Sequence, residues 1–347
     1  MPEVQVRKLG REQAGAWPDA LTLSATFTGL DSWSDLVRET YGYEVHRFEA
    51  VKNDEVEGML VLTHVRHPIF GNYLATAPFG SYGGFAYSCP EARDALLDEA
   101  RRLADELGVE YAVVRFLDDG NSVTAPWVKN PIYSTYLLDL PKNADALWDD
   151  FGSKHRKHTR QALRKGFQAD FGHLELLNDA YEVLARSMHE LGSPYHARGY
   201  LRRMAKLFGD QLEFLVVRDA EGALAGAAVL IYQDGVASSL HANILRDFGS
   251  DYIGEFLYWS MIEHGCQKGM RVFDMGRSLK GSGNESFKTK WRPREVPLSY
   301  WYYLPKGGAI PEINQKSAKF QLAIRVWKRL PAFVVRALGP SLIRGIV

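Results

Sequence analysis

Residues 252–275 read YIGEFLYWSMIEHGCQKGMRVFDM, and this stretch decides the fold. Ile253, Leu257, Met261 and His264 recur at helical spacing, which predicts a helix from about Tyr252 to Lys268. Gly269 stands where a helix C-terminal glycine belongs. Arg271 to Met275 then reads as a buried strand. Upstream, Leu215–Arg218, Ala227–Tyr232 and Val236–Ala242 read as strands, with Asp219-Ala220-Glu221-Gly222 as the turn after the first. The order is strands, helix, strand.

The first half repeats that order. Asp54 to Gly58 reads as a turn, Met59–Val65 as a strand and Ala77-Pro78-Phe79-Gly80-Ser81-Tyr82-Gly83-Gly84 as a loop. A helix opens near Pro90, carries Leu96, Leu103 and Leu107 on one face, and ends at Gly108. Val109–Phe116 follows as a buried strand. Gly58 to Gly108 spans 50 positions and Gly226 to Gly269 spans 43. The repetition predicts an α+β unit made twice, each a mixed sheet flanked by helices. A chain of 347 residues is long enough for two such cores. The join is expected near Asn143, where a long helix runs from about Ala144 through Lys165. Further helices are expected near 178–191 and 197–208. The expected domains are 1–143 and 144–310, with a helical tail over 311–347.

Lys+Arg 42 balances Asp+Glu 42, so no global field points to a polyanionic partner. Cys89 and Cys266 imply neither a disulfide framework nor a CxxC metal site. Met1 to Gly10 lacks the pattern of a signal peptide, and no apolar run is long enough to span a bilayer. The expected location is the cytoplasm, free or against the inner face of the membrane. The oligomeric state is not legible.

The densest chemical candidate is Phe273-Asp274-Met275-Gly276-Arg277-Ser278, then Gly281-Ser282-Gly283, then Phe287-Lys288-Thr289-Lys290-Trp291. A buried strand delivers an acid and an arginine at its C-terminal end, where ligands of α/β sheets sit. Arg277 suits a phosphate or carboxylate, and Lys288 suits an oxyanion. On the residues alone the structural reading stands ahead: an Asp274–Arg277 ion pair and a surface Lys288. Gly276 to Gly281 has P-loop spacing, but Ser282 and Gly283 replace the required Lys-Ser/Thr. No GxSxG is present.

Lys154, Arg156, Lys157, Arg160, Arg164 and Lys165 place six cations in thirteen residues without an acid. Arg156 and Arg160, four apart, share a face suited to an anionic ligand. A solvated helix face is the equal alternative. From Lys316 to the end the chain carries seven Lys/Arg and no acid, with Phe320, Ala323, Ile324 and Trp327 as a helical apolar stripe. That pattern fits an interfacial membrane segment or a helix packed on the domain, with neither ahead. His64 and His67 lack a third metal ligand, so no metal is expected. His264 reads as a core histidine, while His196 and His241 read as polar lining of a cleft.

At these residues the sequence resembles the FemAB family of the GNAT-like acyltransferase superfamily. It looks most like the subgroup found with exosortase, PEP-CTERM and exopolysaccharide systems. The motifs are Pro78 to Gly84, Ser153-Lys154-His155-Arg156 through Arg160, Leu191-Gly192-Ser193-Pro194-Tyr195-His196, and Phe273 to Ser278 with Phe287-Lys288 and Trp291. The resemblance implies two tandem GNAT-like domains. It also implies transfer of an acyl or aminoacyl group to an amine on a peptidoglycan or exopolysaccharide precursor, nucleotide-linked or lipid-linked. Lys288, with Phe287 beside it, takes the role of stabilising the tetrahedral intermediate, and Asp274 is the candidate base. Arg277, Ser278, Tyr82, Arg156, Arg160, His196 and Trp291 are the expected substrate contacts. The donor stays open between aminoacyl-tRNA and acyl-CoA. The coiled-coil arm of some relatives is absent, and Phe248-Gly249-Ser250-Asp251 replaces the acetyl-CoA loop. Arg292 stands where the family usually has glycine. The rivals are an acyl-CoA-dependent N-acetyltransferase and a non-catalytic assembly protein that binds polysaccharide or membrane.

Overall fold

The computed structural model describes residues 3–10, 21, 26–117, 120, 125–311 and 318–346; the side chains of residues 250 and 318–320 lie outside it. In chain order the elements begin with β1 (Gln5–Leu9), α1 (Asp31–Tyr41), β2 (Glu44–Lys52), β3 (Glu55–His67), β4 (Gly71–Ala75) and β5 (Phe85–Tyr87). They continue with α2 (Pro90–Glu106), β6 (Tyr111–Leu117), β7 (Val128–Asn130), β8 (Tyr133–Asp139), α3 (Ser153–Leu163) and β9 (Gln168–Gly172). Next come α4 (Leu177–Leu191), α5 (Arg198–Phe208), β10 (Leu212–Arg218), β11 (Leu224–Gln233) and β12 (Val236–Ile244). The last are α6 (Ile253–Gln267), β13 (Val272–Leu279), α7 (Gly283–Lys288), β14 (Arg294–Tyr303), α8 (Ala318–Arg329) and α9 (Ala332–Ile343). The chain forms two compact units: residues 1–134, 296–312 and 344–347 in the first, 135–295 and 313–343 in the second.

In the first unit the strands run β1-β2-β3-β4-β6-β14, with β5 on β3 and β7 on β14. β2, β3 and β4 are antiparallel, and β4 then pairs parallel with β6 over Tyr73↔Tyr111 to Ala75↔Val113. The intervening helix α2 buries Ala92, Leu96, Ala100 and Leu103 against Phe48, Leu60, Leu62 and Phe85. Gly58 allows that approach, since a Cβ there would lie 2.9 Å from Leu96 Cδ1.

The second unit repeats the plan. β10, β11 and β12 are antiparallel, and β12 pairs parallel with β13 across the helix α6. β8 flanks β13 and β9 flanks β10. Leu215, Val217, Ala228, Leu230 and Tyr232 join Ile253, Leu257 and Met261 of α6 in one core. Alternate residues Phe214, Val216, Ala227, Val229 and Ile231 are also buried, on the other face, where α4 packs on the same strands. Burial on both faces is why these strands read as continuous apolar runs.

Two expectations, the long helix and the end of the second domain, are corrected, and of the two readings left open for the tail the structure shows packing on the domain. The helix expected from Ala144 to Lys165 is a 3-10 turn over Ala144–Leu147 followed by α3, which starts only after Gly152. Asn143 caps the turn by accepting from the amide of Asp145, so the local signal for a helix start is satisfied by that turn. Residues 296–303, near the end of the expected second domain, pair in the first unit's sheet, Leu298↔Leu117 to Tyr303↔Ala112. The tail packs on the second unit: Trp327 Nε1 donates to Ser193 O at 3.2 Å, and Arg336 Nη2 meets Glu182 at 2.6 Å. Ile324 and Trp327 of the expected stripe therefore turn inward, with Ile324 close to Gly192. Lys316 and the Phe320 side chain lie outside the described residues. Among the described residues of the tail, Leu322, Val326, Phe333 and Leu338 are the exposed large apolar side chains, with Phe333 at 74%. No described helix is long and apolar enough to cross a membrane.

Candidate active site

The parallel ladder of β12 and β13 is short, running from Val236↔Val272 to Ser238↔Asp274. Beyond it β13 continues without further β12 pairs, so its end has backbone groups to offer. Gly276 adopts a left-handed φ of 75° there. Its amide donates to Asp274 Oδ1 at 2.9 Å, and Thr135 Oγ1 donates to the same oxygen at 2.6 Å. Asp274 is thus buried and held by two donors.

Lys288 closes over this turn. It is 7% exposed, which overturns the reading of a surface lysine. Its Nζ donates to Gly276 O at 2.8 Å and Arg277 O at 3.0 Å, and lies 5.9 Å from the Tyr136 ring centre. Burial pushes its pKa down to about 8; the Asp274 charge opposes that and Arg277 adds to it. Helix α7 aims the side chain. Ser282 Oγ accepts from the Glu285 amide at 3.2 Å, an N-cap contact. Glu285 in turn accepts from Tyr136 OH at 3.0 Å and from the Gly281 amide. The sequence reading missed Thr135, Tyr136 and Glu285. Only Glu285 carried a local signal, the Ser-x-x-Glu spacing of a capping box.

Phe287 packs on Tyr258 with ring centres 5.0 Å apart, and its edge closes on Gly254 at the start of α6. Trp291 is 0% exposed and lies under His155, 4.3 Å between centres, so it acts as support beneath the surface. Ser278 is buried with its Oγ unpartnered. Arg156 Nη1 donates to Trp148 O at 3.1 Å, and the Arg160 guanidinium stands 5.5 Å over the Trp148 ring. Both arginines therefore hold the segment before α3. His196 is buried and stacks on Tyr200 at 4.0 Å, with His241 at 6.0 Å. Burial drives both imidazoles toward the neutral form, His241 down to about 4.

Tyr82 belongs to the first unit. It is buried, and its loop is tied by Thr28 Oγ1 to Tyr82 O at 2.9 Å and by Tyr300 OH to Ser81 O at 2.6 Å. His264 is fixed to Glu213 at 2.7 Å and stacks on Phe171. His67 Nδ1 accepts from the amide of Ile69 at 3.1 Å. The histidine that meets His64 is His46: with Glu44 they bring ligand atoms within 4.8 Å of one another. His64 Nε2 is already engaged by Asn72 at 2.6 Å and by the Arg66 cation at 3.3 Å, which disfavours a metal.

Residues 153–289, from the first turn of α3 to just past Lys288, match the family model described as an acetyltransferase (GNAT) domain. The fold is a tandem GNAT-like one. Among curated proteins no sequence matches. The chain is similar in structure to FemX, with 15% identity, 81% of this chain and 92% of that one covered, and a TM-score of 0.64. It is also similar to L-PGS from Bacillus licheniformis, with 15% identity, coverage of 79% and 87%, and a TM-score of 0.52. A tandem GNAT protein from the clavulanic acid biosynthesis pathway matches with 14% identity, coverage of 88% and 100%, and a TM-score of 0.54. At these identities the likeness carries the fold.

The start of α6 follows β12 in this GNAT-like unit, and it does not fit the diphosphate of an acyl-CoA. Its first turn holds Glu255, Phe287 covers Gly254, and Tyr252 at the N-cap is stacked on His158 at 4.3 Å. An acid in the first turn satisfies the positive helix end that a phosphate would need.

Proposed function

We propose that this protein transfers an acyl or aminoacyl group to an amine of a cell-envelope precursor, with the Lys288 ammonium stabilising the oxyanion. The observation that carries the reading is a buried ammonium fixed at the end of β13. Two of its N–H groups are committed to Gly276 O and Arg277 O. One remains for a developing negative charge, in surroundings where it counts for more than in water. In the step, the amine nitrogen attacks the carbonyl carbon of the donor. A C–N bond forms, the ester or thioester bond to the leaving group breaks, the amine loses a proton and the leaving group takes one. Asp274, with one oxygen held by two donors, serves as the counter-charge that keeps Lys288 protonated and placed. The FemAB resemblance and the likeness to FemX favour an aminoacyl donor, and the poor fit at α6 weighs against acyl-CoA.

The pH dependence tests the role of Lys288. A stabiliser acts while protonated, so kcat is expected to fall as pH rises through about 8. Lys288→Arg keeps its charge and should lose that descending limb. Transfer is read as loss of the aminoacyl ester from tRNA, or as release of CoA thiol, with a nucleotide-linked peptidoglycan precursor as acceptor. A limb that rises through about 8 in the wild type and vanishes in Lys288→Arg would make Lys288 a base and sink the assignment.

The tail supports a second reading, contact with an anionic membrane surface. Exposed Leu322, Val326, Phe333 and Leu338 are accompanied by exposed Arg325, Lys328 and Arg329 and by no acid. Vesicles rich in anionic lipid are expected to carry the protein in flotation at low salt, and Phe333→Glu to reduce recovery several-fold. Equal recovery with neutral vesicles would refute the charge component.

A further inference from the structure

Helices α3, α4, α5 and α6 of the second unit all start without a side-chain cap, and two of them, α3 at Gly152 and α6 at Tyr252, begin close to the candidate site. These two differ in charge. Helix α6 has Glu255 in its first turn, whereas α3 has no acid there. A cleft of about 360 Å³ opens at the start of α3. It is lined by Gly152, Lys154, His155 and His158 of that helix and by Thr289, Lys290 and Arg292 after α7. The lining has three fixed cations and no carboxylate; Glu255 approaches one of them, with its Oε1 4.0 Å from Lys290 Nζ.

A buried side chain in the same wall points to a ligand. His155 is 5% exposed, yet neither Nδ1 nor Nε2 has a hydrogen-bond partner. A buried imidazole with both nitrogens unpaired is unfavourable unless a ligand or water completes it. Arg292 supplies another sign. Its backbone is left-handed, with φ 53° and ψ 41°, a conformation that favours glycine. The turn therefore keeps a glycine-like shape while carrying a guanidinium to the cleft wall, and strain of this kind collects at functional sites.

We propose that this cleft is a diphosphate-binding site for a small phosphorylated ligand. The amides at the start of α3 and the side chains of Lys154, Lys290 and Arg292 hold the phosphate oxygens, and His155 adds a hydrogen bond from the wall. The expected anion-binding face of the basic helix is thereby exchanged. Lys154, His155 and His158 face the cleft, while Arg156 and Arg160 serve Trp148. This goes beyond the transfer step at Lys288, and its test needs no turnover, so failure of one leaves the other standing.

Calorimetry with the full chain at low ionic strength provides the test, using pyrophosphate, inorganic phosphate, UDP and a short acceptor-stem RNA as probes. Pyrophosphate and UDP are expected to bind more tightly than inorganic phosphate. Lys290→Ala and Arg292→Gly should each weaken pyrophosphate by about tenfold. Arg292→Gly suits the left-handed turn, so its melting temperature should not fall and a loss of binding cannot be blamed on unfolding. The His155 imidazole signals in NMR should shift on adding pyrophosphate. Binding that stays within twofold of wild type in both variants would overturn the site. So would saturation by the RNA alone, with pyrophosphate and UDP inert.

Discussion

Lys288→Ala is expected to lower the transfer rate by about 10²- to 10³-fold, the loss typical of one oxyanion donor. The same variant should melt close to the wild-type temperature. Keeping an ammonium buried is costly: a pKa brought from 10.5 to about 8 corresponds to about 3 kcal/mol against the charged form at neutral pH. Between those values the unfolded chain holds more protons than the folded one, so stability rises with pH from about 8 upward. Removing Lys288 relieves that cost but forfeits the bonds to Gly276 O and Arg277 O, and the two effects largely cancel. Rate and melting point measured on one preparation separate the cases. A large drop in melting temperature with proportionate loss of activity would make Lys288 a structural clamp.

The second large effect is acid instability of the GNAT-like second unit. His155 and His241 are both brought from 6.5 to about 4 by burial, and His196 is lowered in the same direction. A histidine with a depressed folded pKa contributes its stability above the unfolded value. That stability is lost as pH falls from about 6.5 to about 4, because the unfolded state takes up the proton first. For His155 and His241 the loss amounts to about 3 kcal/mol each. Two such losses together approach the lower end of the stability of an ordinary domain, so a steep fall in stability between about pH 6.5 and pH 4 is expected. Denaturant midpoints measured between pH 7 and pH 4 read this directly. His155→Gln with His241→Gln should flatten the slope; an unchanged slope would place the acid sensitivity elsewhere. Diphosphate in the cleft beside His155 should oppose the loss, since an anion there favours the protonated ring.

Much of the site was legible because its parts are close in the chain. Asp274, Gly276 and Arg277 share one strand end, and Phe287 and Lys288 follow within a dozen residues. What the sequence could not show is which groups meet them. Thr135 reaches Asp274 across 139 positions, and Tyr136 reaches Glu285 across 149. Neither residue has a local pattern to mark it. The six cations near Ser153 were equally visible, but their division into a cleft face and a Trp148 face depends on where α3 begins. That point was set by Gly152 and the Asn143-capped turn rather than by charge.

The sequence by itself determined the repeated order of strands, helix and strand. Apolar runs, turn residues and helix-ending glycines act within about twenty positions, and each repeat is encoded by such short-range signals. Tertiary structure alone decided that residues 296–303 return to the first unit's sheet and that Trp327 faces Ser193. It also decided that Lys288 is a buried ammonium of lowered pKa and not a solvated one. Strand pairing, burial and desolvation are set by groups brought together from distant parts of the chain, so their energies exist only once the fold has formed.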